Sequence, residues 1–205
     1  MPLEIVTVPC RSDNYAYLLR DEATGTVALV DAPEAAPILR ALDGRGWKPD
    51  LILVTHHHGD HVEAVDELRS RFGSRVIGAE ADRHRLPRLD LAVRPGDSVE
   101  VGAATASVRD ASGHTIGHIA YHFPEDRALF AGDSLMVMGC GRVFEGTPAM
   151  MWETLSRLAA LPPETRLFSG HEYTEGNLRF ALSLGEPDAA LAARAEAIRA
   201  ARAAG

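Results

Sequence analysis

Thiols are nearly absent from this sequence: Cys10 and Cys140 are the only cysteines among 205 residues. Two so far apart make no disulfide framework, and a reducing, cytoplasmic setting is the expectation. Each reads as a small buried hydrophobe. Long apolar runs are also missing, so no segment reads as a membrane span. Met1 to Pro9 has neither the basic stretch nor the apolar core of a signal peptide. A cationic excess is lacking too. Lys and Arg total 21 against 29 Asp and Glu, a net charge of −8. That balance argues against partners held mainly by phosphate neutralisation, so neither nucleic acid nor a membrane surface is expected. With 46% hydrophobic and 24% charged residues, the chain reads as one globular domain that buries its core unaided. Oligomeric state is not legible.

What is abundant is histidine in one place. Nine occur, and four of them fall between positions 56 and 61. The elements around them follow from hydrophobic period. Leu3 to Val8, Tyr15 to Leu19 and Thr26 to Val30 read as strands, and Ala35 to Leu42 as a helix. Leu51 to Val54 reads as a buried strand running into the histidines. Val62, Val65, Leu68 and Phe72 follow at helical spacing, with Gly73 closing that helix. Arg75 to Gly78 reads as a strand, and Ala81 to Pro95 as helix fragments and loop. Ser98 to Val101, Thr105 to Arg109, Ile119 to Phe123, Ala128 to Ala131 and Thr165 to Ser169 read as further strands. Pro148 to Leu161 reads as a helix opened by proline, and Asn177 to Leu184 and Asp188 to Ala204 as terminal helices. Two sheets with outer helices are the expected layers.

At the end of the fourth strand, alternate side chains share a face, so His56 and His58 point one way and His57 the other. Asp60 and His61 come round the turn, where a second ion can sit. Imidazoles with a carboxylate and no thiolate suit zinc, iron, manganese or cobalt. More ligands are needed, and three glycine-led loops offer them: His114, Asp133 and His171. Taken singly, each is equally an ordinary loop residue. His57 reads as packing or as an outer partner of a ligand. His118 reads as an orienting group or as packing, His84 and His122 as surface residues, and Ser112 and Ser134 as turn residues.

The stretch Thr55-His56-His57-His58-Gly59-Asp60-His61 matches the T-H-x-H-x-D-H signature of the metallo-β-lactamase superfamily. The stretches Asp13 to Leu19, Phe130 to Leu135, Gly139 to Thr147 and Gly170 to Thr174 narrow the resemblance to the glyoxalase II (hydroxyacylglutathione hydrolase) family. That resemblance implies a four-layer αββα sandwich over residues 1–172 and a short helical segment over 173–205. It implies two divalent ions, Zn²⁺ above Fe or Mn. His56, His58 and His114 would hold one, Asp60, His61 and His171 the other, and Asp133 both. The implied substrate is a glutathione thioester, chiefly S-D-lactoylglutathione. Water made acidic by the ions would attack its carbonyl carbon, with Asp60 and Asp133 as the catalytic carboxylates.

Family members usually have Lys and Tyr where this chain has Arg142 and Phe144, while Tyr173 matches. These three are the expected substrate contacts. Family members also continue beyond the Ala-rich helix with basic residues for glutathione. This chain stops at Gly205, so either that segment is left out or the thiol part is held differently. The competing expectations are an iron-dependent persulfide dioxygenase of the same superfamily, a β-lactamase, and a non-catalytic module with a closed structural metal.

Overall fold

The computed structural model describes residues 3–186 and 188–204. The readings of Met1, Pro2 and Gly205 lie outside them. Along the chain run β1 (Leu3–Cys10), β2 (Asn14–Asp21), β3 (Val27–Val30), α1 (Ala35–Asp43), β4 (Leu51–Leu53), α2 (Gly59–Val62), α3 (Val65–Phe72), β5 (Arg75–Ala79) and β6 (Leu91–Val93). There follow β7 (Ser98–Val101), β8 (Ala104–Asp110), β9 (Ile119–Phe123), β10 (Ala128–Gly132), β11 (Leu135–Met136), β12 (Gly139–Cys140), α4 (Pro148–Ala159), β13 (Arg166–Ser169), α5 (Thr174–Ser183) and α6 (Ala189–Ala204).

The first six strands form one sheet in chain order, antiparallel through β3 and parallel from β3 to β6. The second sheet runs β13-β10-β9-β8-β7, with β13 parallel to β10. Period-two alternation stacks them. Tyr17 and Leu19 enter the core between the sheets with Tyr121, Phe123 and Phe130. Ala16 and Leu18 face the other way, onto Ile38 and Leu42 of α1 and Val65 and Leu68 of α3. On the outer face of the second sheet, Ala120, Leu129 and Ala131 pack against Leu158 of α4. The result is the four-layer αββα sandwich. Ile38 and Leu42 sit one helical turn apart and are fully buried. Truncating such a leucine to alanine costs roughly 2–5 kcal/mol.

Four expectations need correction. The helix expected from Val62 to Phe72 is two helices. Ala32 N–H donates to the His61 carbonyl at 2.8 Å, and Ala64 N–H donates to the Ala32 carbonyl at 3.0 Å. These lateral bonds displace the helical ones at the break. The polar stretch from Ala81 to Pro95 hides β6, which pairs parallel to β5. Three residues carry too little pattern to show a strand without its neighbour. His122 is buried, 4% exposed, because β9 is an inner strand and Arg109 on β8 reaches its Nδ1 at 3.5 Å. Cys140 is exposed, whereas Cys10 is buried.

One carboxylate ties the two sheets together away from the histidines. Asp21 accepts bonds from the Thr24 hydroxyl at 2.7 Å and, across the sandwich, from Ala103 N–H at 2.9 Å in the β7–β8 turn. The Thr24 hydroxyl first, and the backbone donors after it, hold its pKa down at about 2. A depressed carboxylate stabilises the fold above its unfolded pKa, near 3.9, and that share is lost as pH falls toward the folded value. Asp21→Asn is therefore expected to lower stability in urea at pH 6, with the gap from wild type narrowing between about pH 4 and pH 2.

Candidate metal centre

The histidine motif begins where β4 ends, and its geometry is set by the neighbouring strand end. Asp31, just past β3, is 2% exposed and has a left-handed φ of 55°. Its Oδ1 accepts Thr55 N–H at 2.8 Å. Its Oδ2 accepts the Thr55 hydroxyl at 2.8 Å and His61 Nδ1–H at 2.9 Å. Because the Thr55 hydroxyl proton goes to Asp31, its oxygen accepts His56 Nδ1–H at 3.1 Å. In the neutral ring the lone pair of both His56 and His61 is therefore on Nε2.

Three more loops deliver the remaining candidates. His114 follows β8, and its Nδ1–H donates to the Arg142 carbonyl at 2.7 Å, leaving Nε2 free to coordinate. His171 follows β13, and its Nδ1–H donates to Asp13 at 2.8 Å. Asp133 follows β10, and its N–H donates to His118 Nε2 at 3.1 Å. Close approach of these loops demands glycine at two places. A Cβ on Gly132 (φ 48°) would lie 2.6 Å from Thr55 Oγ1, and one on Gly170 would fall on the Asp133 carboxylate.

The ligand atoms form three overlapping groups, each within 4.8 Å: His56–His58–His114, His56–His61–Asp133 and Asp60–His61–His171. Asp133 reaches across them, 3.3 Å from His61, 3.4 Å from His114 and 3.3 Å from His171. Burial pushes the His56 and His58 imidazoles down. At His61 and His171 burial also pushes down, but the Asp133 carboxylate 3.3 Å from each and further carboxylates outweigh it and raise both to about 10. Burial opposes ionisation of Asp133, and His171 and His61 nevertheless hold its pKa far below the usual range. The carboxylates thus demand positive charge at this point. His56 Nε2 and Asp133 Oδ1 are buried without a hydrogen-bond partner among the described residues, which is the pattern of a cation site. Imidazole and carboxylate donors with tautomers fixed from behind fit divalent metal ions.

The group opens onto a cleft of about 770 Å³, walled by Arg142, Phe144, Tyr173 and the exposed Cys140. Phe144 is 59% exposed, and its ring stands edge-on to His58 and His114, with centroids 5.7 and 5.3 Å apart. Arg142 lies over the same ring at 5.4 Å. Tyr173 stacks on His171, with centroids 4.9 Å apart. His57 turns away from the cleft, to Asp82 and Glu145. His118 stacks on His56 with centroids 4.6 Å apart. Sequence reasoning missed the outer partners Asp31, Asp13 and Asn14. Asn14 donates to Asp60 Oδ2 at 3.0 Å. Asp13 and Asn14 fall in a stretch that carries the family resemblance and close the β1–β2 turn, while Asp31 had only its place after a fully buried strand.

A family model for the metallo-β-lactamase superfamily matches residues 11–171. The hydroxyacylglutathione hydrolase of Ruegeria pomeroyi is 61% identical over 205 residues, all of this chain and 80% of that relative. The chain belongs to the metallo-β-lactamase superfamily, in its hydroxyacylglutathione hydrolase family. Among solved structures, ETHE1 from Myxococcus xanthus is similar at a TM-score of 0.70 and 33% identity, over 84% of this chain and 76% of that one. TTHA1623, solved in a di-iron-bound form, is similar at a TM-score of 0.68 and 29% identity, over 82% of this chain and 92% of that one.

Asp31 offers a direct test of how the centre is held. Asparagine tolerates the left-handed backbone but brings two N–H donors. Either way round, it sets a donor against His61 Nδ1–H or against Thr55 N–H. Asp31→Asn is expected to keep the fold and to lower metal affinity by about 10–100-fold, read by chelator titration of metal content.

Proposed function

We propose that the chain is a binuclear metal-dependent thioester hydrolase that cleaves S-D-lactoylglutathione to glutathione and D-lactate, with Zn²⁺ as the ion. The observation that carries this reading is the set of overlapping ligand groups, spanned by Asp133, at the floor of an open cleft. The 61% identity to a hydroxyacylglutathione hydrolase supports the substrate. His56, His58 and His114 would hold one ion, Asp60, His61 and His171 the other, and Asp133 both. Bound ions supply acidified water as the nucleophile and Lewis-acid polarisation of the thioester carbonyl.

The chain's own residues do the rest. Asp31, Asp13 and the Arg142 carbonyl hold His61, His171 and His114 in the coordinating tautomer. Asp60, part-exposed and steadied by Asn14, faces the cleft and orients the attacking water by accepting its hydrogen bond. Arg142 pairs with a glutathione carboxylate, Phe144 supplies an apolar wall, and the Tyr173 hydroxyl meets the peptide part of the substrate. In this reading residues 1–172 carry the chemistry and 173–205 border the thiol side. Leu178 of α5 packs there with Ala195 and Ile198 of α6. No helix among the described residues is long and apolar enough to cross a membrane, and a cytoplasmic location is part of the proposal.

The test is release of free thiol from S-D-lactoylglutathione, followed alongside metal content before and after chelation. Two ions per chain and thiol release that chelation abolishes are expected. Asp133→Ala is expected to lower kcat/KM by more than the roughly 10–100-fold that outer-partner changes cost. One iron per chain, with oxygen uptake on glutathione persulfide, would sink the hydrolase reading in favour of a dioxygenase.

A further inference from the structure

Behind the histidine motif, where the cleft wall meets it at Glu145, two carboxylates, one guanidinium and one imidazole come together outside the candidate ligand set. His57 Nδ1 lies 3.2 Å from Asp82 Oδ2, and its Nε2 lies 3.4 Å from Glu145 Oε1. Arg85 sits between the same carboxylates. Its Nη2 donates to Asp82 at 2.5 Å, and its two terminal nitrogens fork onto Glu145 at 2.5 and 3.1 Å. Glu145 also accepts Ile116 N–H at 3.0 Å. Asp82 is 2% exposed and is wedged against Gly117, where a Cβ would fall on its carboxylate.

Four segments therefore share this cluster: the histidine motif, the turn at 80–85, the His114 loop and the cleft wall at 139–147. The wall has little structure of its own. Its only strand is the two-residue β12, and its backbone bonds to the His114 carbonyl are long, 3.2 Å from Phe144 N–H and 3.3 Å from Glu145 N–H. A firm anchor at Glu145 fixes its neighbour Phe144 against His58 and His114.

We propose that Arg85, by its bidentate grip on Glu145, is a positioning residue that holds the Arg142–Phe144 wall over the metal centre and so sets affinity for the thioester. This rests on the thioester hydrolase reading. The fork suits a planar guanidinium, and lysine keeps the charge without it. Without Arg85, the Asp82 and Glu145 carboxylates face each other across His57 with no fixed cation, and the wall is released.

Steady-state kinetics on the metal-loaded full chain with S-D-lactoylglutathione test this. Arg85→Met is expected to raise KM about 5–10-fold, a coupling on the order of 1 kcal/mol, with kcat and metal content unchanged. Arg85→Lys is expected to recover part of the KM. Adding Glu145→Gln to Arg85→Met is expected to raise KM no further, because both remove one interaction. An unchanged KM in Arg85→Met, or loss of kcat and metal together at constant KM, would overturn the positioning role. If Arg85→Met does not fold, the graded KM of Arg85→Lys decides, and a wild-type KM there overturns it. A wild type that releases no thiol removes the underlying reading as well. Wild-type turnover with an indifferent Arg85 removes only this one.

Discussion

A single buried carboxylate sets the terms for the metal centre. The Asp31 carboxylate in a dry interior needs donors on its oxygens, and Thr55 and His61 supply three. Those bonds also hold its left-handed backbone, which an aspartate adopts at some cost. Directly it fixes the ring of His61, and through Thr55 the ring of His56. Both imidazoles then turn Nε2, the nitrogen that carries the lone pair in the neutral ring, toward the centre. A metal site needs this before it needs a metal, since a protonated nitrogen is no ligand.

The sandwich makes that arrangement possible by bringing strand ends together. Asp31 and Thr55 come from neighbouring parallel strands, β3 and β4. Asp133 and His171 come from neighbouring parallel strands of the other sheet, β10 and β13. The two sheets touch at this edge through Ile119 N–H donating to the Thr55 carbonyl at 3.0 Å. Each loop is short and leaves a rigid strand, which is the condition for holding several ligands to ångström tolerance. Gly132 and Gly170 let backbones pass where any side chain would collide.

The cleft wall follows a different logic. From Gly139 to Gly146 the chain has almost no regular structure. It is held by side-chain charges and by backbone bonds to the His114 and Asp133 loops, such as Gly141 N–H to the Asp133 carbonyl at 2.9 Å. The proposed substrate contacts and the candidate metal ligands are thereby attached to the same loops. His57, the one histidine of the motif that leaves the ligand set, joins the motif to that wall through Glu145.

The ligand-bearing motif was legible because its members are covalent neighbours. Alternation over His56, His57 and His58 sorts them into two faces with no knowledge of the rest of the chain. Strands of five or more residues with one clear face were legible for the same local reason, and so was α4, opened by Thr147 and Pro148. The three-residue β6 and the break after Val62 were not, because a partner strand and two lateral hydrogen bonds decide them. Neither were Asp31, Asp13 and Arg85. Their partners lie 24, 158 and 60 residues away, and nothing in local sequence says which carboxylate will meet which ring. The sequence by itself determined which residues are candidates to bind a metal and where the strands that present them run. Only the tertiary structure decided which nitrogen of each ring faces the centre and what holds the cleft wall, because both depend on contacts made after distant segments are buried together.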